Sequence, residues 1–254
     1  MIHTICRVRS LHQVADNTFV LAFQAPEIAL RVQGGQFINI KVIEGTDPLL
    51  RRPFSVYRCD GDEAQIIFTV VGKGSSCLQR KQEGDTLDVL GPLGVPFSVD
   101  GDFQTAVLVG GGLGVAPLPL TTQALQRQGK KVLTFIGART AAHLVPHHLQ
   151  NVHIATDDGS DGFRGNVVEL IIDKLSLFKH QRSKLFACGP TKMLSAVAAF
   201  AREHDIPCEV SLEGPMACGF GICQGCPVEL VRGERKYALI CKDGPTFDIQ
   251  QIKL

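Results

Sequence analysis

The sequence predicts a β domain followed by an α/β domain and a small cysteine-rich domain. Residues 1–100 hold short β-prone runs separated by Gly, Asp or Pro, which is typical of an antiparallel barrel. Residues 101–210 alternate apolar runs with helical segments, which is typical of a parallel α/β sheet. Residues 211–254 hold four of the nine cysteines, so we expect a metal or redox centre there.

The composition is that of an ordinary globular protein and excludes several function classes. The 254 residues are 44% hydrophobic and 20% charged, with a formal net charge of +1, so neither nucleic acid nor an anionic membrane is expected as a partner. No run of about 18 apolar residues occurs, and the N-terminal segment lacks the apolar core of a secretory signal. The five cysteines outside the C-terminal segment are scattered, which favours a reducing cytoplasm.

Six β-prone runs predict the strands of the N-terminal barrel, at 5–9, 19–23, 36–42, 54–57, 65–71 and 86–90. Between them lie two motifs suited to a cofactor that carries a diphosphate and a planar ring. In RRPFS (51–55), a guanidinium can pair with the diphosphate, and the Ser55 hydroxyl can hydrogen-bond a ring nitrogen beside Phe54. In GKGSS (72–76), a helix start offers free N–H groups. Taken singly, each motif is also typical of a surface turn or a capped helix.

The α/β domain is predicted from strands at 105–109, 131–136, 152–156 and 184–187, with helices at 115–128, 166–175 and 191–204. Ligands of such sheets bind at the carboxyl ends of the strands. GGGLG (110–114) and CGP (188–190) both fall there. GGGLG departs from GxGxxG because Val115 occupies the third glycine position, yet it can still bring bare backbone against a diphosphate. A tight turn without a ligand, and a buried Cys188 with no function, are the alternatives.

The C-terminal cysteines have the spacing of a plant-type [2Fe–2S] ligand set. Cys218, Cys223 and Cys226 follow the pattern C-x4-C-x2-C, and Cys241 follows after fourteen intervening residues, at the end of a predicted short strand at 237–240. A structural zinc site is the main alternative, but zinc sites favour paired CxxC knuckles and only Cys223 and Cys226 form one. A disulfide pair is the other alternative.

The order of these motifs resembles the ferredoxin–NADP⁺ reductase superfamily over residues 1–210. With the cysteine set and the following KDGPTF (242–247), the whole chain resembles the electron-transfer subunits of two-subunit, NAD-dependent dihydroorotate dehydrogenases. The resemblance implies FAD on the barrel, NAD(H) on the α/β domain and a [2Fe–2S] cluster at the C-terminus. It also implies a heterotetramer with an FMN-containing catalytic subunit that oxidises dihydroorotate in pyrimidine biosynthesis.

The resemblance assigns roles to individual residues of this chain. The expected flavin-binding residues are Arg52, Pro53, Phe54, Ser55, Thr69, Val70, Val71, Gly74 and Ser75. The expected nicotinamide-site residues are Gly111, Gly112, Gly114 and Cys188. The expected iron ligands are Cys218, Cys223, Cys226 and Cys241. No catalytic acid, base or nucleophile is expected, because the chemistry on the substrate belongs to the partner.

Three other functions fit parts of the pattern. An equivalent subunit of a hydrogenase or of an NADH-dependent ferredoxin–NADP⁺ oxidoreductase shares all three domains. A self-sufficient NAD(P)H reductase would pass electrons to an external carrier. A zinc-stabilised binding module would account for the cysteines but gives no reason for RRPFS and GGGLG to occur in this order.

Overall fold

A computed structural model describes residues 1–254. Its N-terminal part is a closed six-stranded barrel in which neighbouring strands are antiparallel, in the order β1-β2-β5-β4-β3-β6. The strands are β1 (Ile2–Ala15), β2 (Thr18–Gln24), β3 (Phe37–Lys41), β4 (Arg52–Asp60), β5 (Glu63–Thr69) and β6 (Thr86–Leu93). Two short helices, α1 (Pro26–Arg31) and α2 (Lys73–Gln79), lie between strands. The predicted barrel is confirmed.

One barrel strand ends earlier than predicted. The run at 65–71 leaves the ladder after Thr69. Beyond that point Val70 hydrogen-bonds Asn17 instead: its N–H donates to the Asn17 carbonyl at 3.2 Å, and Asn17 Nδ2 donates to its carbonyl at 2.8 Å. The chain therefore turns away toward α2 where the sequence alone suggests continued β structure.

Residues beyond the barrel form a seven-stranded sheet in the order β10-β9-β8-β7-β11-β12-β15, and β13 pairs with β14 in a separate hairpin. The strands are β7 (Thr105–Gly111), β8 (Lys131–Ala138), β9 (Val152–Thr156), β10 (Phe163–Arg164), β11 (Ser183–Cys188), β12 (Cys208–Ser211), β13 (Pro227–Glu229), β14 (Tyr237–Leu239) and β15 (Thr246–Asp248). The helices are α3 (Leu118–Arg127), α4 (Val167–Asp173), α5 (Thr191–Glu203) and α6 (Ile240–Asp243). Within the seven-stranded sheet, neighbouring strands are parallel except for β12 and β15, which are antiparallel.

Helices cover both faces of this sheet. Alternate residues of β7 point to opposite faces: Ala106 and Leu108 pack with α3, whereas Val107 and Val109 pack with α4 and α5. This alternation explains why 105–109 reads as a continuous apolar run, because a strand buried on both sides needs apolar residues at every position. None of the helices combines the length and the apolar character that crossing a membrane requires.

The predicted helix at 115–128 starts three residues too early. After β7 the chain makes a 3-10 turn over Gly112–Val115, in which Ala116 N–H donates to the Leu113 carbonyl, and α3 begins at Leu118. Pro117 is the N-cap residue of α3, and its carbonyl accepts the N–H of Thr121 in the first turn of the helix. Sequence reasoning also missed β12 and β15, and β15 adds a strand from the C-terminal segment to the sheet.

Candidate cofactor-binding site

A cleft of about 490 Å³ opens between the barrel, the α/β sheet and the C-terminal segment. Eight of the nine predicted flavin residues line it: Arg52, Pro53, Phe54, Ser55, Thr69, Val71, Gly74 and Ser75. Val70 is not brought to the cleft, because its side chain packs on the barrel core. Leu113 and Ala116 close the cleft from the side of the α/β sheet, and Glu213, Met216 and Pro245 close it from the C-terminal segment.

The two adjacent arginines at the cleft have different surroundings. Arg51 is bound within the fold, since it donates to the Asp88 carbonyl at 3.0 Å and to the Asp88 carboxylate at 2.8 Å. Burial alone would raise the pKa of the Asp88 carboxyl, but hydrogen bonds from Arg51 and His3 lower it. Arg52 has no carboxylate partner and donates to the Leu50 carbonyl. Its positive charge is therefore available to an anion in the cleft.

The two flavin motifs meet in the structure. The side chain of Arg52 lies over Gly74 so closely that a Cβ there would be 3.0 Å from Arg52 Cγ and Nε. The Ser75 hydroxyl accepts N–H bonds from Val71 at 3.0 Å and Gly72 at 3.2 Å, and it donates to the Gly72 carbonyl at 3.0 Å. Ser75 thus holds the turn before α2, which presents Gly74 beneath the guanidinium.

The predicted nicotinamide residues lie at the switch point of the sheet, where β7 and β11 run side by side although the chain between them passes through β8 to β10. A Cβ on Gly114 would lie 2.0 Å from the Cys188 carbonyl oxygen, so only glycine fits this close approach. Cys188 is buried, and burial raises the pKa of its thiol above the ordinary value. Gly111, Gly112, Gly114 and Cys188 adjoin one another, but none of them lines the cleft.

The four predicted iron ligands lie together as two pairs. In the outer pair, which is partly exposed, Cys218 Sγ accepts a hydrogen bond from Cys223 N–H at 3.4 Å. In the inner pair, which is buried, Cys226 Sγ and Cys241 Sγ are 3.3 Å apart. The strand of β14 delivers Cys241 as predicted, although Ile240 and Cys241 already belong to α6 rather than to the strand.

One cysteine of each pair has a strongly shifted thiol pKa, and the two shifts have opposite directions. Burial opposes ionisation of Cys218, but N–H donors of Cys223, Phe220 and Ile222 outweigh it and lower the pKa of the Cys218 thiol to about 6. Burial, reinforced by the neighbouring Cys226, raises the pKa of the Cys241 thiol to about 12. A metal must therefore displace a proton from Cys241, whereas Cys218 already favours the thiolate.

The paired arrangement fits a binuclear cluster better than a single ion. A structural zinc site needs four donors around one centre, whereas a [2Fe–2S] cluster needs two thiolates at each of two irons. Two cysteine pairs within one loop and the adjoining helix match the second requirement.

The cysteines and the cleft share a wall. Phe37 of β3 lines the cleft and also packs with Cys226 and Cys241, and Met216 does the same from the other side. A single layer of side chains therefore separates the inner cysteine pair from the cleft. Sequence reasoning missed both residues, because an apolar residue in a strand or loop carries no sign of which site it will face.

Sequence reasoning also missed Glu213, which follows β12 and lines the cleft. Its side chain is exposed to solvent in the open cleft, yet surrounding protein atoms raise the pKa of its carboxyl. A second missed residue, Asn39 of β3, is buried and donates to the Cys218 carbonyl at 3.0 Å. A polar residue inside the apolar run FINIK was the available signal.

Comparison with known proteins places the chain in a family. The family model of the iron-sulfur cluster binding domain of dihydroorotate dehydrogenase B matches residues 213–253. The electron transfer subunit of dihydroorotate dehydrogenase B (NAD(+)) from Bacillus caldolyticus is 38% identical over 255 residues, covering 97% of each chain. The chain belongs to this family. The counterpart from Desulforamulus reducens is 35% identical, covering 97% of this chain and 96% of its own.

Solved structures agree on the fold. A chain of the NADH-dependent reduced ferredoxin-NADP oxidoreductase, a structure described for flavin-based electron bifurcation, superimposes with a TM-score of 0.86 at 29% identity, covering 98% of this chain and 90% of its own. A ferredoxin NADP⁺ reductase from Neisseria gonorrhoeae with bound FAD and NADP shares the fold at 18% identity, with a TM-score of 0.68 and coverage of 80% and 91%. The predicted family, fold class and NAD-linked electron-transfer function are confirmed.

Proposed function

We propose that this chain conducts electrons from a dihydroorotate-oxidising partner to NAD⁺. Its cofactors are FAD, a [2Fe–2S] cluster and NAD(H). The observation that carries the proposal is the shared wall between the cysteine pairs and the cleft, because a cluster held by these cysteines would lie next to a flavin bound in the cleft. When bound, the cluster exchanges single electrons, the nicotinamide exchanges electron pairs as hydride, and FAD can do both.

The residues of the chain bind and orient these groups. In this proposal Arg52 pairs with the diphosphate of FAD and the bare backbone of Gly74 lies beneath it, while Ser55 and Phe54 face the ring. Phe37 and Met216 exclude water between the cleft and the inner cysteines. Cys218 with Cys223, and Cys226 with Cys241, hold one iron each. Gly111, Gly112, Gly114 and Cys188 form the switch-point floor under the nicotinamide nucleotide.

We also propose the division into domains at 1–100, 101–210 and 211–254. The largest core clusters of the barrel and of the sheet are distinct, which supports the first boundary, although a smaller cluster joins Tyr57 and Ile67 of the barrel to Ile136 of the sheet. The cysteine-rich segment is less separate, because β15 joins the sheet beside β12. This segment is therefore proposed to fold onto the other two domains and not independently of them.

The proposed partner is an FMN-containing catalytic subunit, in a cytoplasmic heterotetramer that serves pyrimidine biosynthesis. Two exposed apolar side chains, Phe220 and Ile222, lie in the cysteine loop between Cys218 and Cys223. Exposed apolar residues beside a redox centre favour a protein partner there. The name of the Bacillus caldolyticus relative, an electron transfer subunit, supports the same assignment.

Co-purification tests this function directly. The chain is co-expressed with a dihydroorotate-oxidising subunit, and dihydroorotate-dependent NAD⁺ reduction is followed at 340 nm. We expect a stable complex that reduces NAD⁺ and loses this activity in the Ile222→Asp variant, while NADH still bleaches the flavin of the isolated variant. Absence of a complex, together with rapid NADH-driven reduction of a ferredoxin, would instead favour the role of the ferredoxin-NADP oxidoreductase chain that shares this fold.

A further inference from the structure

Asn39 is a buried polar residue on the outer side of the barrel. In β3 its neighbours Ile38 and Ile40 point into the barrel core, so strand alternation turns Asn39 outward. Its side chain is nevertheless only 1% exposed, because the cysteine loop (217–225) covers it. An outward-facing strand residue thus lies between the flavin barrel and the cysteine loop.

The contact between Asn39 and the loop is close and directional. Asn39 Nδ2 donates to the Cys218 carbonyl at 3.0 Å. The next residue, Gly219, has a φ of +80°, and a Cβ there would lie 1.9 Å from Asn39 Nδ2. Both the backbone conformation and the space therefore require glycine at this position.

The loop has no other hydrogen bond to the barrel. Its other hydrogen bonds include those from Cys223 N–H to Cys218 Sγ, from Gly225 N–H to Cys223 Sγ, and from the Gln224 side chain to the Gly221 carbonyl, and none of these reaches the barrel. Asn39 also leaves its Oδ1 buried without a partner. Burying an unpaired acceptor is unfavourable, whereas an apolar side chain would fill the same space without this penalty. Packing alone therefore does not explain an amide at this position.

We propose that Asn39 is the positioning residue that fixes the cluster loop on the flavin barrel, an inference that rests on the proposed function. Asn39 stands opposite Pro53 in the β3–β4 ladder, and Phe37 stands opposite Ser55. The strand that carries the amide is therefore hydrogen-bonded to the strand that carries the flavin motif. One side-chain hydrogen bond joins this rigid ladder to the first cysteine and sets the separation of the two sites.

The test compares Asn39→Leu with a matched control in the full-length holoprotein. Leu keeps the branched shape of the Asn side chain and removes the donor. Thr134→Val removes another buried polar atom without a partner, but in β8, outside the cleft and the loop. The measurements are iron release to an excess of chelator, the EPR spectrum of the reduced cluster, and the rates at which NADH bleaches the flavin and reduces the cluster.

We expect Asn39→Leu to release iron about five- to tenfold faster, the effect of losing one hydrogen bond on a local opening equilibrium. Its EPR signal shifts and its cluster is reduced more slowly, while flavin content and flavin bleaching keep their wild-type values. Thr134→Val matches the wild type throughout. If Asn39→Leu does not fold, Asn39→Ala, which removes the same donor and needs no additional space, is expected to show the same changes.

Wild-type iron release and an unchanged EPR signal in a folded Asn39 variant would overturn the inference. Equal changes in Thr134→Val would overturn it as well, because they would indicate a general loss of stability. Failure of the proposed function is a separate result: the wild-type protein itself would then lack iron, sulfide or flavin.

Discussion

Hydrogen-bonded strands form most of the barrel wall of the cleft, whereas three of the four predicted iron ligands lie in a segment without strand or helix, 217–226. Arg52, Phe54 and Ser55 are held by the ladder of β4 with β3 and β5. Cys218 and Cys223 lie in bends, and Cys223 is exposed. Both sites face the same wall, yet their backbones are fixed by different interactions.

This difference indicates what each site needs in order to form. A site on paired strands keeps its geometry whether or not a ligand is present, since backbone hydrogen bonds of the fold supply it. A loop of thiols gains much of its order from the metal, because metal binding contributes folding free energy. We therefore expect that loss of the cluster disorders the loop while the barrel keeps its flavin.

The largest expected effect is that of removing an inner ligand. Cys226→Ser or Cys241→Ser leaves one iron with a single thiolate, so iron and sulfide should fall to background in the purified protein. Flavin content should stay at the wild-type level, because the barrel ladder is untouched. Cys59→Ser, in β4 but outside the four, is the control and should retain the cluster. Loss of flavin together with iron would contradict the independence of the two sites.

Removing iron from the intact protein tests the same difference without a mutation. After chelation, limited proteolysis within 217–225 should accelerate by more than about tenfold, because local opening of the loop is no longer opposed by the metal. Cleavage within the barrel should keep its original rate, which mass spectrometry of the fragments can measure. Equal acceleration in both regions would show that the cluster stabilises the whole fold.

Replacing the two adjacent arginines one at a time tests which of them binds FAD and which stabilises the barrel. Arg52→Ala should weaken FAD binding by about ten- to hundredfold, the loss of charge-assisted hydrogen bonds to the diphosphate. Arg51→Ala should change FAD affinity by less than about threefold but lower the free energy of unfolding by about 1.5–3 kcal/mol, since it removes hydrogen bonds to Asp88 in an ion pair that is only about a quarter exposed. Fluorescence titration with FAD measures the first effect, and a reversal of the two variants would contradict the assignment.

The smallest expected effect concerns how the alkylation rate of Cys218 depends on pH in cluster-free protein. Because the pKa of Cys218 is lowered to about 6, it is already mostly thiolate at pH 7. Its alkylation rate should rise by less than about twofold between pH 7 and pH 8, whereas an ordinary thiol would gain about eightfold. Peptide mapping resolves it from Cys241, whose pKa of about 12 should leave it unreactive at both values. An eightfold rise at Cys218 would contradict the role of the loop N–H donors.

Local patterns in the sequence predicted the fold class, which is confirmed, and singled out four cysteines that the structure brings together in two pairs. Apolar runs predicted the strands, since β7 is buried on both faces, and the spacing of Cys218, Cys223 and Cys226 is a property of one short loop. Boundaries were less predictable where single contacts decide them. Strand β5 ends before Val70, which hydrogen-bonds Asn17 instead. A 3-10 turn over Gly112–Val115 precedes α3, which begins only at Leu118.

The unpredicted parts of the site depend on contacts between distant residues. Nothing near Arg51 and Arg52 in the sequence tells which of them pairs with Asp88 across the barrel. Asn39 and Cys218 are 179 positions apart, so neither local propensity nor spacing links them. The roles assigned to the individual flavin, nicotinamide and iron-binding residues stay predictions, and the geometry now ranks them: Arg52 and Gly74 meet in the cleft, whereas Val70 does not reach it.

The most direct test of the account is a visible spectrum of the anaerobically purified protein, with iron, sulfide and flavin quantified before NADH is added. The account predicts about two irons, two sulfides and one FAD per chain, with absorbance that bleaches on addition of NADH. A colourless protein that contains zinc and no flavin would contradict it, and would make the four cysteines a structural metal site.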